Sequence, residues 1–394
     1  MRVIYDAVVV GGGPAGTTAA YMLASAGARV ALVEKEQYPR TKVCAGGVTP
    51  RARALLQPIL GPRWNAAVQS AVRSVVVWAQ GRSPLRFSGG EPLWHTVSRD
   101  VLDFLLANAA AEAGAEVVTG WRVTGVEWGD SVLEVRSPRG VLLARAVIGA
   151  DGARGVVARS LRIRPQPRRA PALEAEIPVS SAPGWSGEEA WVDHGVVPMG
   201  YAWMFPKGDR ISVGVSGLTT GNRLRPALRA FLAAHSLDPD AATVRGWMIP
   251  VWCRNERVSA GSVLLVGDAA GLADPLTGEG IYYAVQSAAL AASALLATGP
   301  GPNAGRVYEA SLTETLRGDL YWAMILARVV GWSPQLTQEW LQRYPAAFEW
   351  LRDVAAGHTS YRQLIHRIGS SRVADLLQGI VADRGSSRGE GTRG

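Results

Sequence analysis

The sequence predicts an α/β protein in which a Rossmann-like domain is interrupted by an antiparallel β-sheet domain and followed by a helical C-terminal region. The first observation is a β-α-β start, with apolar runs at Tyr5–Val10 and Arg29–Val33 around a small-residue helix at Pro14–Ala26. The second is the apolar/polar alternation at 70–94 and 171–217, broken by glycine and proline as in antiparallel strands. The third is the helical, tryptophan-rich pattern of the C-terminal part.

The first domain is expected to return later in the chain. Val101–Ala113 has helical spacing, Ala146–Ala150 is typical of a buried strand, and Val263–Val266 is an apolar strand before another glycine-rich loop. The uncharged stretch Ile281–Pro300 contains polar residues and is predicted as a buried helix rather than a membrane span. The predicted regions are a discontinuous nucleotide-binding domain (1–70, 95–165 and 255–300), a substrate β-sheet domain (71–94 and 166–254), a helical region (301–382) and a disordered tail (383–394).

The composition excludes several classes of protein. Hydrophobic residues make up 48% of the 394 residues and charged ones 19%, which predicts a globular chain. The two cysteines, Cys44 and Cys253, are too few for a disulfide framework, and no Cys/His spacing indicates a metal site. The net charge is +8, carried almost entirely by arginine, but no dense basic run indicates nucleic-acid binding. The N-terminal segment has no export signal, so we expect a cytoplasmic location.

The first glycine loop has the spacing of a dinucleotide site. Gly11, Gly13 and Gly16 form GxGxxG directly after a strand and at the start of a helix. The first glycine permits the tight turn, the second lets a pyrophosphate approach the backbone, and the third lets helix and strand pack closely. Glu34 follows the second strand and can accept hydrogen bonds from both ribose hydroxyls of an adenosine.

A second acidic turn distinguishes FAD from NAD. The segment 263–271, VLLVGDAAG, ends a strand at Gly267 and Asp268, which suits a carboxylate that binds the polyhydroxy ribityl chain of FAD. Residues 149–152, GADG, form a similar turn around Asp151, which is either a cofactor contact or a plain turn-forming aspartate. Arg99 follows a β-like segment and is expected to reach the pyrophosphate.

These segments resemble the FAD-dependent oxidoreductases with the p-hydroxybenzoate hydroxylase-type fold, and within them the geranylgeranyl reductase family. Three further motifs carry the resemblance, which extends over about residues 5–297: KVCAGG at 42–47, PMGYAWMFP at 198–206 and DPLTGEGIYY at 274–283. The family usually has glycine after the cysteine, where this chain has Ala45. The resemblance implies an FAD site formed by Gly11, Gly13, Pro14, Ala15, Gly16, Glu34, Lys35, Cys44, Ala45, Gly46, Arg99, Asp151, Gly152, Gly267, Asp268, Pro275, Gly278, Glu279, Gly280 and Ile281.

The resemblance also implies that the 274–280 loop lies near the flavin pyrimidine. We expect the backbone N–H groups of Thr277 to Gly280 to stabilise the negative charge of the reduced flavin. A carboxylate beside that charge would be unfavourable, so the side chain of Glu279 is expected to point away.

The implied reaction is reduction of C=C bonds in geranylgeranyl-type isoprenoid chains, by hydride transfer from flavin N5 and protonation of the other carbon. Tyr201 and Trp203 are two residues apart on a strand and share one sheet face, where aromatic rings can stabilise a developing cation. In the family this motif lines the substrate cavity. The predicted substrate-binding residues are Pro198, Tyr201, Trp203, Phe205 and Pro206, and the predicted catalytic residues are Cys44, Tyr201 and Trp203.

Cys44 has three interpretations. It is a small apolar side chain in a loop, a proton donor or gate near the flavin as the family position implies, or half of a redox pair with Cys253. Arg40 and Lys42 flank it and would favour its thiolate.

Two other functions share the fold. One is a flavin-dependent monooxygenase acting on an aromatic or alkene substrate, and the other is a non-redox prenyl-lipid cyclase or carrier. No second GxGxxG follows a strand, so the electron donor is expected to bind transiently, as NAD(P)H or a small iron-sulfur protein. The head group of the prenyl chain stays open between a free diphosphate, a lipid, a chlorophyll-type pigment and a quinone. A monomer is expected, with peripheral membrane contact through the tryptophan-bearing stretch Leu320–Trp340 as an alternative to packing on the flavin domain.

Overall fold

The computed structural model describes residues 3–79, 82–163, 165, 167–182, 185, 187–239, 243–254 and 256–367. In chain order the strands are β1 (Ile4–Val10), β2 (Val30–Val33), β3 (Gly47–Val48), β4 (Val68–Val72), β5 (Ser74–Ala79), β6 (Leu85–Ser88), β7 (Trp94–Val97), β8 (Glu116–Val118), β9 (Gly125–Trp128), β10 (Leu133–Ser137), β11 (Gly140–Gly149), β12 (Arg168–Pro178), β13 (Glu189–His194), β14 (Gly200–Lys207), β15 (Arg210–Gly217), β16 (Arg245–Val251), β17 (Ser259–Ala260) and β18 (Val263–Leu265). The α-helices are α1 (Pro14–Ser25), α2 (Pro50–Leu60), α3 (Trp64–Ala67), α4 (Arg99–Glu112), α5 (Val157–Ser160), α6 (Gly221–Ala234), α7 (Ile281–Thr298), α8 (Pro302–Leu312), α9 (Gly318–Trp332), α10 (Pro334–Arg343) and α11 (Ala346–Ala356), and residues 361–367 are also helical.

The chain divides into two compact units. The first comprises Met1–Val68, Val97–Arg169 and Met248–Leu320, and the second comprises Gln69–Thr96, Ala170–Trp247 and the chain from Tyr321 onward. The helices after residue 300 are therefore shared between the two units rather than forming a third. The tail predicted at 383–394 lies outside the described residues.

The first unit contains a sheet in the order β17-β18-β11-β1-β2-β8, in which the strands from β18 to β8 run parallel and the edge strand β17 runs antiparallel to β18. Strands β10 and β9 add an antiparallel extension on β11. The strands β1, β2, β11 and β18 run parallel, so their carboxyl ends meet at one edge. In sheets of this kind ligands bind at that edge. The glycine loop follows β1, Glu34 follows β2, Asp151 comes two residues after β11 and Asp268 three residues after β18. The fold thus delivers the predicted cofactor residues to a single edge.

Helix α7 is the predicted Ala-rich buried helix. It contacts α1, α2 and α8, and its residues Ile281 and Val285 belong to an apolar core with Leu56, Leu102 and Leu106. By length and composition α7 is the one helix among the described residues that could cross a membrane, but half of it is buried inside the protein. The core helix of a soluble protein has the same properties.

The second unit contains a seven-stranded sheet in the order β16-β12-β15-β14-β13-β5-β6. The neighbours β12–β15, β15–β14, β14–β13 and β5–β6 pair antiparallel, as predicted, whereas β5 and β13 run parallel. These two strands come from segments more than 100 residues apart, so no hairpin dictates their direction. One face packs on α6 through a core that includes Met204 and Val213, and alternation places Tyr201, Trp203 and Phe205 on the other face.

The predicted stretch 320–340 forms two helices, because Ser333 and Pro334 end α9 and begin α10. Helix α10 packs on β5 of the second unit, and Gln338 donates a hydrogen bond to the carbonyl of Ser83. The expectation that this stretch packs on the flavin domain was therefore wrong for α10. The contact between Gln338 and Ser83 spans 255 residues of sequence, so local periodicity does not reveal it.

Candidate active site

The glycine loop between β1 and α1 has the steric requirements predicted for a dinucleotide site. Gly11 has a φ of +105°, and a Cβ there would lie 2.4 Å from the carbonyl oxygen of Ala150. A Cβ on Gly16 would lie 1.8 Å from the carbonyl oxygen of Gly11, so helix and strand pack in contact. At Gly13 the nearest atom is Nη2 of Arg40, at 3.9 Å. The space in front of the α1 N-terminus is therefore open to an anion such as a pyrophosphate.

Glu34 is held in place beside this loop. Its carboxylate accepts hydrogen bonds from the N–H groups of Gly12 (2.8 Å) and Glu36 (3.1 Å), and Nε of Arg40 lies 3.4 Å away. The Tyr38 hydroxyl donates to the carbonyl of Gly12 at 2.5 Å. Glu34 is 4% exposed and lies where the mechanism of ribose recognition requires an acceptor.

A cluster of opposite charges surrounds the cysteine loop. Arg99 forms a bidentate pair with Asp103, with both distances 2.9 Å, and lies in hydrogen-bonding contact with Cys44. Burial and the nearby charge of Arg99 lower the pKa of Lys42 to about 8. Burial raises the pKa of Asp268, against the opposing effect of Lys42 and Arg99. The predicted residues Cys44, Arg99 and Asp268 are thus brought together, and Lys42 joins them.

The cysteine loop accepts alanine where the family usually has glycine. The residue in the left-handed region is Gly46, with a φ of +78°, and a Cβ on it would lie 2.4 Å from the carbonyl oxygen of Val97. Ala45 has no positive φ, so its methyl group introduces no backbone strain. The N–H of Gly46 donates to Sγ of Cys44 at 3.4 Å. Cys44 and Cys253 are not joined to each other by a disulfide bond.

Asp151 makes the contacts of a turn-forming residue. Its Oδ2 accepts hydrogen bonds from the N–H groups of Val156 (2.5 Å) and Val157 (2.9 Å), which caps α5. Its Oδ1 is buried without a partner in the described part of the chain. Burial raises the pKa of Asp151, and the two backbone donors oppose this effect. One carboxylate oxygen thus organises the turn and the other remains available to a ligand.

In the loop before α7, backbone N–H groups donate hydrogen bonds to acceptors within the same loop. The N–H of Thr277 binds Oδ1 of Asp274, the N–H of Gly278 binds the Asp274 carbonyl, and the N–H of Glu279 binds the Thr277 hydroxyl. Three of the four N–H groups from Thr277 to Gly280, which we expected to stabilise the reduced flavin, thus have acceptors within the loop itself. They close the turn instead, because an aspartate at its first position accepts the nearby N–H groups. A Cβ on Gly280 would lie 3.6 Å from Oδ1 of Asp268, so the end of this loop borders the predicted ribityl contact.

Arg51 is a site residue that the sequence analysis missed. Its Nη2 lies 2.7 Å from Oε2 of Glu279, and the Thr49 hydroxyl donates to the other oxygen of that carboxylate at 2.5 Å. Its guanidinium also lies 4.1 Å from the ring centroid of Tyr282. The Glu279 side chain is thus held and neutralised by residues at the start of α2. A lone arginine after a proline carries no local signal for this role, because the partner is 228 residues away.

The aromatic strand β14 lies in the second unit. The rings of Tyr201 and Trp203 have centroids 6.0 Å apart on one face, and Tyr201 also faces His194 on β13 at 5.8 Å. Burial lowers the pKa of His194 to about 4, which keeps the imidazole neutral. Of the other predicted substrate residues, Pro206 is buried, Phe205 is half-buried against Trp94, and Pro198 is exposed.

The first unit therefore has a parallel sheet with a glycine loop, a ribose acceptor and a buried acidic turn at one edge, the arrangement of an FAD-dependent oxidoreductase with the p-hydroxybenzoate hydroxylase-type fold. Residues 4–307 match the family described as FAD binding domain. The chain belongs to the geranylgeranyl reductase family of FAD-dependent oxidoreductases.

Three curated relatives have similar coverage. The chain is 33% identical to an uncharacterized protein of Methanosarcina barkeri, over 74% of both chains. It is 32% identical to a digeranylgeranylglycerophospholipid reductase of Methanoculleus marisnigri, over 74% of this chain and 76% of the relative. It is also 32% identical to a menaquinone reductase of Mycolicibacterium smegmatis, over 75% and 77%. The protein is thus a flavoprotein enzyme related to both kinds of reductase.

A solved structure has the same fold. The geranylgeranyl bacteriochlorophyll reductase-like protein of Thermoplasma acidophilum superposes with a TM-score of 0.74 at 23% identity, over 84% of this chain and 88% of that chain. At this identity the likeness concerns the fold.

Proposed function

We propose that this protein saturates C=C bonds of geranylgeranyl-type isoprenoid chains. The observation that carries the proposal is the aromatic strand, in which Tyr201 and Trp203 face one side of a β-sheet within the PMGYAWMFP segment. An aromatic face attracts positive charge, and saturation of a trisubstituted alkene passes through a state with cationic character at one carbon. The two similar relatives named as reductases act on a prenyl lipid and on a quinone, which supports an isoprenoid substrate.

The residues of the first unit divide the work of holding FAD. The glycine loop and the α1 N-terminus would face the pyrophosphate, Glu34 would accept hydrogen bonds from the ribose, and Asp268 would accept them from the ribityl chain. Once reduced by the electron donor, bound FAD would supply two electrons to the substrate as a hydride. The electron donor that we propose is NAD(P)H or a small iron-sulfur protein that binds transiently.

The residues of the second unit act on the substrate. Tyr201 and Trp203 orient the prenyl chain and stabilise charge on it with their ring faces. Burial of the chain dominates the affinity, at about 0.8 kcal/mol per CH₂, so the head group adds discrimination rather than most of the binding. The net charge of +8 favours an anionic head group and contact with an anionic membrane surface in the cytoplasm.

The test is an anaerobic single turnover. The purified protein is reduced with dithionite, geranylgeranyl diphosphate or a digeranylgeranyl lipid is added, and flavin absorbance and product mass are followed. Reoxidation with a gain of two mass units per double bond supports the proposal. A flavin that stays reduced with both substrates, or that yields a hydroxylated product with oxygen, would overturn it in favour of a monooxygenase. The Trp203→Ala variant should retain FAD and lose reoxidation.

A further inference from the structure

The indole of Trp203 is connected to a buried carboxylate on a neighbouring strand. Its Nε1–H donates to Oγ of Ser212 at 3.1 Å, and the Ser212 hydroxyl donates to Oε1 of Glu174 at 2.6 Å. Trp203 and Glu174 are each 6% exposed and Ser212 is 0% exposed. The three side chains come from β14, β15 and β12, which are adjacent in the sheet. A continuous chain of hydrogen bonds thus runs from the carboxylate to the aromatic ring.

A glycine fixes the other side of the ring. Gly214 lies directly opposite Trp203 in the β14–β15 ladder. A Cβ at Gly214 would lie 2.2 Å from Cζ2 and 2.5 Å from Cη2 of the indole, so only glycine leaves room for the benzene part of the ring at this position. The hydrogen bond of its N–H to Ser212 and the close approach of its benzene part to Gly214 both restrict the orientation of the indole.

The hydrogen-bond chain also has an electronic consequence. The Glu174 side chain accepts a hydrogen bond from the Ser212 hydroxyl, and this makes the serine oxygen a stronger acceptor for the indole N–H. A more strongly bound N–H leaves more electron density on the ring, and a ring with more electron density attracts a cation more strongly over its face.

We propose that Ser212 and Glu174 are positioning residues that orient and polarise Trp203 for the stabilisation of positive charge on the substrate. The inference rests on the proposed function, because it specifies how the aromatic strand serves alkene reduction. Neither residue touches the reacting atoms. Their effect reaches the substrate through the indole, and this determines the test.

The test compares single-turnover flavin reoxidation by geranylgeranyl diphosphate in Ser212→Ala, Ser212→Thr and Glu174→Gln. We expect Ser212→Ala and Glu174→Gln to slow reoxidation by about 3- to 30-fold, as for loss of a desolvated cation–π contribution, with KM changed less than about twofold. Ser212→Thr keeps the hydroxyl and should keep the rate. Ser216→Ala is the matched control, because Ser216 lies on the same strand and face but its hydroxyl donates to the carbonyl of Pro171.

A double-mutant cycle makes the test sharp. In a Trp203→Phe background, Ser212→Ala should slow reoxidation no further, because the ring through which it acts has lost its N–H. An equal slowing in both backgrounds would overturn the proposal. A rise in KM with an unchanged rate in Ser212→Ala would overturn it too, since that would indicate a packing role.

A spectroscopic measurement separates this proposal from the proposed function. The ultraviolet resonance Raman difference between the wild type and Trp203→Phe reports the hydrogen bond of this one indole. Its N–H band should shift in Ser212→Ala and stay in place in Ser216→Ala, whether or not turnover occurs. An unshifted N–H band in Ser212→Ala overturns the proposal that Ser212 polarises Trp203. If the band shifts as expected but no prenyl substrate reoxidises the reduced flavin of the wild type, the proposed function is overturned instead.

Discussion

At the residue scale, the cofactor loop depends on glycines, because a side chain at these positions would clash with the backbone or occupy the ligand space. Gly11 and Gly16 are in contact with backbone atoms of neighbouring strands and turns, whereas Gly13 borders open space. Gly11 and Gly16 are therefore required by the packing of the protein itself, whereas Gly13 is required by the ligand that enters the open space. This division follows the roles that a GxGxxG loop assigns to its three glycines.

Gly16→Ala should abolish FAD binding. The new methyl group would lie 1.8 Å from the carbonyl oxygen of Gly11, so α1 must move away from β1 and the loop must change shape. We expect destabilisation by about 1–3 kcal/mol, measured by urea unfolding, and loss of the flavin spectrum. Gly318→Ala is the control, because that helical glycine has no neighbour within 4 Å and alanine should be neutral or stabilising there. A Gly16→Ala protein purified with full FAD would contradict this account.

Lys42 introduces a pH dependence into the same site. Its amine lies near Arg99, Asp268, Cys44 and Asp103, and its pKa of about 8 is below the ordinary 10.5 because burial disfavours the charged form. Between pH 8 and 10.5 the unfolded chain therefore binds more protons at this position than the folded one. The contribution of Lys42 to the free energy of unfolding therefore rises with pH in that window. Below pH 8 the buried amine is charged, and the destabilisation that results from burying this charge is fully present.

FAD affinity should change in the opposite direction. A bound pyrophosphate favours the protonated amine of Lys42, so the Kd for FAD should increase as the pH rises above 8. Titration calorimetry of the stripped protein from pH 7 to 9.5 measures this. Lys42→Met should flatten the pH profile, whereas Lys207→Met should keep it, because Lys207 pairs with Glu176 in the other unit. A profile that is as steep in Lys42→Met as in the wild type would exclude the role of Lys42.

At the element scale, the loop between β18 and α7 is anchored by α2 in addition to the hydrogen bonds within the loop. Arg51 pairs with Glu279, and its guanidinium also lies 3.9 Å from carboxylate oxygens of Asp274 and Asp319. One arginine thus compensates three carboxylates that are nearly excluded from water. The position of the loop before α7 depends on this contact.

Arg51→Met should destabilise the protein strongly. Removal of the arginine leaves Glu279 as a buried carboxylate without its cation, which typically costs about 3–5 kcal/mol. We expect a lower thermal midpoint and weaker FAD binding, measured by calorimetry and flavin fluorescence. The double variant Arg51→Met/Glu279→Gln should recover part of both losses, because one of the three carboxylates left without the arginine is then neutral. Equal destabilisation in the single and double variants would show that the arginine acts through packing alone.

At the scale of the whole molecule, each of the two units has its own hydrophobic core, one around α2, α4 and α7 and one between the second sheet and α6. The predicted cofactor residues lie in the first unit and the aromatic strand in the second. Cofactor binding should therefore stabilise the first unit, and aromatic-strand variants should leave that stabilisation intact.

Removal of FAD should lower the thermal midpoint of the first unit. A ligand present at about 1,000 times its Kd contributes about 4.1 kcal/mol, and each kcal/mol corresponds to about 2–4 °C for a domain of 150–250 residues. Scanning calorimetry of holoprotein, stripped protein and reloaded protein measures the shift, expected at about 8–16 °C. Trp203→Ala should show the same FAD-dependent shift as the wild type. A reloaded protein that melts like the stripped one would argue against specific binding to a folded site.

The sequence by itself determined the fold class and the family, and it placed the predicted cofactor residues at the ends of parallel strands, because these depend on local spacing of glycines, acids and apolar runs. It also located the aromatic strand, since residues two apart on a strand share a face. Only the tertiary structure decided which side chains support these elements. Arg51 with Glu279, and Glu174 with Ser212 and Trp203, are partners across 228, 38 and 9 residues of chain. Local periodicity predicts which face a side chain occupies, whereas its partner depends on strand order and on how helices pack, which are set by the whole chain.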